Sequence, residues 1–183
     1  MTEFESSDNK RNSKYDICFA LFLLAKKEKY NEISVGDIAT RAGVSRMTFY
    51  RHFTCKEDVF SFYADEVFAD FISVIGEMKK SSVEDFLVAL FNFLANHKES
   101  LQILIETKQY PIMLDKYEQY INYLYRRIAF QDSKYKILDK YTVSFVSGGI
   151  YNAVYKWVKN NCNDEPDQIA HQLSEVLNDF SNR

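Results

Sequence analysis

Five glycines and two prolines serve 183 residues. Tight turns are built largely from these two residue types, and a β-sandwich or barrel needs many such turns. Their scarcity argues against a turn-rich β-architecture and points to long helices with few connections. Long apolar runs are equally scarce. The longest, residues 17–25, has nine residues, far short of the ~20 that cross a bilayer as a helix. Cys18, Cys55 and Cys162 are odd in number and widely spaced, as reduced thiols would be rather than a disulfide framework. No glycine-rich phosphate loop, Gly-x-Ser-x-Gly or His-Glu-x-x-His motif occurs. His52, His97 and His171 are the only histidines, and no second pair joins His52 and Cys55 in a zinc site. Nothing here points to an enzyme, a metal or a cofactor.

Apolar residues make up 46% of the chain and charged residues 27%, a globular composition that excludes disorder over most of its length. The length suits one domain, or a small domain fused to a larger one. Lys10, Arg11 and Lys14 precede the apolar run as the basic region of a signal peptide would. Glu3, Glu5 and Asp8 precede them, however, bulky Leu23 stands where a small residue is wanted, and Lys26 and Lys27 follow at once. The expected compartment is therefore the cytoplasm, with no membrane partner.

The net charge of −3 conceals an asymmetry. Residues 1–9 carry −3, residues 10–56 carry +6 and residues 57–183 carry −6. A basic block beside an acidic remainder suits a polyanion-binding module on a non-binding body. Ordinary fluctuation of charge is the alternative.

The pattern reads as all-α, with about nine helices. Residues 1–12 are polar and expected to form a flexible arm. Ser13 with Asp16 resembles a capping box opening a helix from about Lys14 to Lys29, apolar nearly all round. Ser34 with Asp37 opens a helix to about Arg41, Gly43 follows where a tight turn needs positive φ, and Ser45 caps Arg46 to Arg51. Thr54 with Glu57 opens a long helix reaching Met78, and Ser82 with Asp85 one reaching Asn96. Further helices are expected from Glu99 to Thr107, from Pro111 to Ile128, from Lys134 to Asn160 after a polar break at 131–133, and from Pro166 on. The last carries Ile169, Leu173, Val176, Leu177 and Phe180 on one face.

Two short helices joined by a turn containing glycine make a helix-turn-helix. Ile38, Ala39, Val44 and Phe49 form its small core against the first helix, and the second short helix exposes Arg46, Met47, Thr48, Tyr50 and His52. An α-helix fits the major groove of B-DNA, with its N-terminal residues at base edges. Arg46 in the first turn is able to donate two bonds to guanine. Thr48, Tyr50 and His52 suit phosphates, and Lys56 lies near another helix N-terminus that favours an anion. The competing reading is two connecting helices in an all-α bundle.

The stretch from Ile33 to Asp58 resembles the signature of the TetR family of bacterial transcriptional regulators. The turn Ala42-Gly43-Val44-Ser45, the end Phe49-Tyr50-x-His52-Phe53 and Lys56 carry the resemblance, which extends to Ile17, Ala20, Leu24 and Tyr30. It implies a homodimer on double-stranded, pseudo-palindromic operator DNA, with Ser45–His52 of each chain in a major groove. By motif position, Arg46, Met47 and Thr48 would meet bases, and Ser34, Tyr50, His52 and Lys56 phosphates. One departure is Lys29, where such proteins usually have Gly. A left-handed cap there would cost Lys roughly 1 kcal/mol, or the helix ends differently.

Residues 145–157 are similar to the penultimate helix of many members. Gly148 and Gly149 cost about 1 kcal/mol each inside a helix, tolerable where a partner helix approaches closely. Phe145, Gly148, Gly149, Asn152, Ala153 and Lys156, with Leu173 and Leu177 of the last helix, are the expected dimer seam, a four-helix arrangement. A close contact inside one subunit is the alternative. The 13 Tyr and 15 Phe are expected mostly in core or surface, some lining a cavity for a small apolar or aromatic effector. The resulting expectation is a helix-turn-helix domain at 1–57 and a regulatory, dimerising helical domain at 58–183. The function expected is a repressor released by a small molecule, or, as the alternative, a co-regulator of the same fold controlled by a partner protein.

Overall fold

The computed structural model describes residues 12–78, 82–131 and 139–181. Among them are nine α-helices, one 3-10 turn and no strand: α1 Ser13–Ala25, the 3-10 turn Tyr30–Glu32, α2 Val35–Ala42, α3 Arg46–His52, α4 Glu57–Gly76, α5 Val83–Asn96, α6 Lys98–Glu106, α7 Ile112–Gln131, α8 Lys140–Lys159 and α9 Pro166–Ser181. The expected all-α class holds. Residues 1–11 of the expected arm and residues 132–138 lie outside the described residues.

The chain forms two compact units. The first comprises residues 12–66 with Glu99–Ile112, the second Val67–Lys98 with the described residues from Met113 on. In the first unit Ile17, Leu21, Phe22, Ile38, Phe49, Phe53 and Phe60 are buried. Phe22 meets Phe60 edge-on at 5.3 Å and lies 4.6 Å from Tyr63 between ring centroids, within the range where aromatic pairs attract beyond area burial. Tyr30 closes the same cluster, 5.5 Å from Phe60. In the second unit α5 packs along α9. Phe71 contacts Phe86 and Tyr120, and Phe91 meets Trp157 edge-on at 5.3 Å. The Trp157 indole N–H donates to the Asp164 carbonyl at 2.9 Å and so ties α8 to the end of the connection, just before α9.

Several expected boundaries are corrected. Asn12 caps α1, accepting from the Lys14 N–H at 3.1 Å; the Ser13 hydroxyl is 2.6 Å from His52 instead. The helix stops at Ala25, and Lys29 is extended at φ −65° and ψ 125°. No left-handed cap is needed there, so the absence of glycine costs nothing. At α4, Asp58 rather than Glu57 reaches back, accepting from the N–H groups of Thr54 and Cys55 at 2.8 and 3.1 Å. Glu57 instead accepts from the Tyr30 hydroxyl at 2.6 Å. Asp139 caps α8 by accepting from Tyr141 and Thr142, so that helix starts at Lys140; the expected start at Lys134 lies outside the described residues. Among the described side chains of α9, small Ala170 and Ser174 are buried, Ile169, Leu173 and Leu177 are half-buried and Val176 is exposed; the side chain of Phe180 lies outside the described ones.

Candidate nucleic-acid interface

The capping box expected at α2 is present: the Ser34 N–H donates to Asp37 at 2.9 Å and the Asp37 N–H donates to Ser34 Oγ at 3.2 Å. Both bonds satisfy donors that the first helical turn leaves unpaired. The Ser34 hydroxyl and then its N–H hold the Asp37 carboxyl below the ordinary carboxylate range, with the Arg46 charge acting in the same direction. Gly43 ends α2 at φ 69°. The Val44 N–H reaches Ala39 O at 2.9 Å and the Gly43 N–H reaches Thr40 O at 3.2 Å, the paired bonds of a Schellman motif, which needs a left-handed residue. Ser45 then caps α3, accepting from the Thr48 N–H at 3.0 Å. The turn between the two helices is thus specified at every step by local chemistry.

Phe49 is fully buried and anchors α3 to the unit's core. Met47 and Tyr50 are 82% and 58% exposed, and Arg46 and Arg51 are also exposed. Thr48 and His52 are half-buried, and Ser34 and Ser45 exposed. A helix held by one aromatic residue therefore presents cationic, apolar and phenolic side chains from consecutive turns. Arg51 was not among the expected contacts. Its spacing was the available signal: Met47, Tyr50 and Arg51 fall at i, i+3 and i+4, one helical face.

His52 and Lys56 have internal partners as well. The His52 Nε2 next to Ser13 Oγ links the end of α3 to the start of α1. Burial, and then the charges of Arg51 and Lys14, hold its pKa below the ordinary 6.5. The Lys56 ammonium donates to the carbonyls of Tyr30 and Ile33 at 2.7 and 2.9 Å and lies 4.1 Å from the centre of the Tyr30 ring. It braces the turn leading into α2. Two of its three N–H donors are engaged there, leaving one for an outside anion.

The residues expected at a dimer seam lie in the second unit. Phe145 is 65% exposed, Gly149, Asn152 and Lys156 are exposed, and Gly148, Ala153, Leu173 and Leu177 are half-buried. The Asn152 amide donates to Gly148 O at 2.9 Å. Among the described residues, no atom lies within 4 Å of where a Cβ would stand on Gly148 or Gly149. Close packing among the described residues therefore does not account for either glycine. Tyr141, one turn before Phe145, is 75% exposed.

A family model described as "Bacterial regulatory proteins, tetR family" matches residues 24–61, and one described as "Transcriptional regulator C-terminal region" matches residues 81–179, more than half of the chain. No curated protein matches. Among solved structures, the fatty acid degradation regulator FadR from Bacillus halodurans is similar, with 22% identity and a TM-score of 0.66, covering 93% of this chain and 96% of that one. The dihydroxyacetone kinase operon activator DhaS shares 19% identity with a TM-score of 0.64, covering 94% and 98%. The transcriptional regulator FadR from Bacillus subtilis, in complex with stearoyl-CoA, shares 22% with a TM-score of 0.59, covering 88% and 96%. These likenesses extend over both units, as the two family models do, and with the helix-turn-helix built as described, the chain belongs to the TetR family of transcriptional regulators.

Proposed function

We propose that the chain is a homodimeric repressor that binds a pseudo-palindromic operator and leaves it when a small apolar or aromatic effector binds. Residues 1–57 act as the operator-binding module and residues 58–183 as the dimerising, regulatory module. One observation carries the reading: α3 is fixed from behind by Phe49 and turns Arg46, Met47, Tyr50 and Arg51 outward. Arg46 and Met47 meet base edges, with Thr48 beside them. Ser34, Tyr50, His52 and the remaining donor of Lys56 meet phosphates, and Ser45 fixes the N-terminus of the reading helix. Phe145, Gly148, Gly149, Asn152, Ala153, Lys156, Leu173 and Leu177 form the seam. Two half-sites about one helical turn apart, ~34–36 Å, match such a dimer. The stearoyl-CoA complex of one similar fold supports an apolar effector. The chain works in the cytoplasm, where the DNA is.

The test is selection of bound duplexes from a random pool, followed by mobility shift with Arg46→Ala. We expect a loss of ~1–3 kcal/mol on the best duplex and relaxed preference at one base pair. Unchanged preference would remove Arg46 from the bases. The likeness to DhaS, named as an operon activator, favours activation as the other sign of control; the second reading is a co-regulator of the same fold controlled by a partner protein rather than a small ligand. Purified dimer that shifts no duplex alone but does so with a partner would establish that reading over the first.

A further inference from the structure

Gly36 stands in the first turn of α2, where no turn, cap or positive φ requires glycine. Glycine there sacrifices helix propensity relative to alanine. Its neighbour explains it. The Arg46 guanidinium lies across Gly36: a Cβ built on that residue would stand 3.0 Å from Arg46 Cζ and Nε, and closer still to one terminal nitrogen. No other described atom comes as near. The conflict is with the far end of a long side chain, so a Cβ would not break the fold but would force the guanidinium to move.

Two further observations bear on the same place. The α2 N-terminus carries partial positive charge, which disfavours a cation. Asp37 compensates, and the attraction between it and Arg46 contributes to holding the Asp37 carboxyl low. The guanidinium therefore lies across the notch that glycine leaves open, within electrostatic reach of a carboxylate that is fixed by Ser34. Arg46 itself leaves the first residue of α3, so the notch spans the two helices of the motif.

We propose that Gly36 is a positioning residue for DNA recognition: it seats the Arg46 guanidinium in one arrangement before DNA arrives. This rests on Arg46 being a base-reading residue as proposed above. An arginine ordered in advance loses less freedom on binding, and that saving goes to the one contact requiring a planar, two-bond fit. Gly36 thus acts on specificity through Arg46, without touching DNA.

The probe is the duplex selected by the purified full chain, compared with the same duplex altered at the base pair whose preference Arg46→Ala relaxes. Gly36→Ala should keep or raise the melting temperature, yet reduce the preference for the selected duplex about three- to tenfold. In an Arg46→Ala background, Gly36→Ala should change neither duplex. Gly36→Ser, with a Cβ of its own, should behave as Gly36→Ala does. A preference intact in Gly36→Ala but lost in Arg46→Ala would overturn the positioning role while sparing the reading of Arg46. An equal loss on both duplexes, or a loss persisting without Arg46, would overturn it too, since each marks a generic change of the fold. Preference intact in Arg46→Ala would overturn both proposals together.

Discussion

The imidazole of His52, the last residue of α3, lies 2.6 Å from the hydroxyl of Ser13, the first residue of α1, across 39 positions of sequence. The contact fastens both ends of the three-helix module around a shared core. Burial, and then Arg51 and Lys14, depress the His52 pKa below 6.5, so the neutral ring is the one the fold favours. The unfolded chain takes up a proton first as pH falls. His52 therefore contributes stability above pH 6.5, lost as pH falls below it through the lowered folded value. We expect His52→Gln to flatten the fall in melting temperature between pH 7 and lower pH. Its ring protons should titrate below 6.5 by NMR, and a titration above that value would contradict the assignment.

His171 should show the opposite sign. Its Nδ1 is 3.0 Å from Glu84 on α5, and its Nε2 is 3.7 Å from Glu175 on its own helix. The hydrogen bond with Glu84, then the charges of Glu84 and Glu175, raise its pKa above 6.5. This contact contributes stability present below pH 6.5 and lost as pH rises through the raised value. The side chain is exposed, so the effect is small. We expect two histidine titrations displaced in opposite directions, and Glu84→Gln should return the His171 curve toward 6.5 without moving that of His52.

Local chemistry was legible wherever a residue's partner lay within a turn. Ser34 with Asp37, Ser82 with Asp85 and the left-handed Gly43 formed as their spacing implied. Expectation failed where a distant group claimed the side chain. Ser13 went to His52 and Glu57 to Tyr30, so Asn12 and Asp58 took over the work at the two N-termini. The exposure of Arg46, Met47 and Tyr50 on α3 followed from its period, whereas Thr48 and His52, expected to be exposed with them, are half-buried and Arg51 is exposed instead. The notch between Gly36 and Arg46, and the carbonyls held by Lys56, depend on tertiary approach that no local pattern encodes. On α9, apolarity was a poor guide to burial: α5 packs along that helix, and among its described side chains Ala170 and Ser174 are buried while Ile169, Leu173, Val176 and Leu177 remain partly or fully open.

Lys56 should matter to stability as well as to DNA. Its ammonium satisfies Tyr30 O and Ile33 O and sits on the Tyr30 ring. Hydrogen bonds to a charged group contribute about 1.5–3 kcal/mol, and both of these bonds are part-buried. We expect Lys56→Ala to destabilise the chain by ~1–3 kcal/mol in urea titration. If the third donor meets a phosphate, the salt dependence of DNA binding should also fall by about one unit. A change in salt dependence with unchanged stability would mean that the carbonyl bonds contribute nothing.

Gly149 offers a separation of folding from association. No described atom lies within 4 Å of where its Cβ would stand, and the residue is exposed. Leucine there should fit the isolated subunit and gain up to about 1 kcal/mol of helix propensity. If the face bearing Phe145, Gly149, Asn152 and Lys156 meets its own copy, the same side chain must hold two helices apart, and by symmetry the insertion occurs twice per interface. We therefore expect Gly149→Leu to retain full helicity and an undiminished melting transition at low concentration while sedimenting as a monomer, or as a dimer of much weaker affinity. Operator binding should fall with it, because a single reading head keeps only about half of the contacts. A Gly149→Leu chain that sediments as a full dimer would move the seam to another face. Loss of helicity instead would mean that the glycine serves the subunit's own packing.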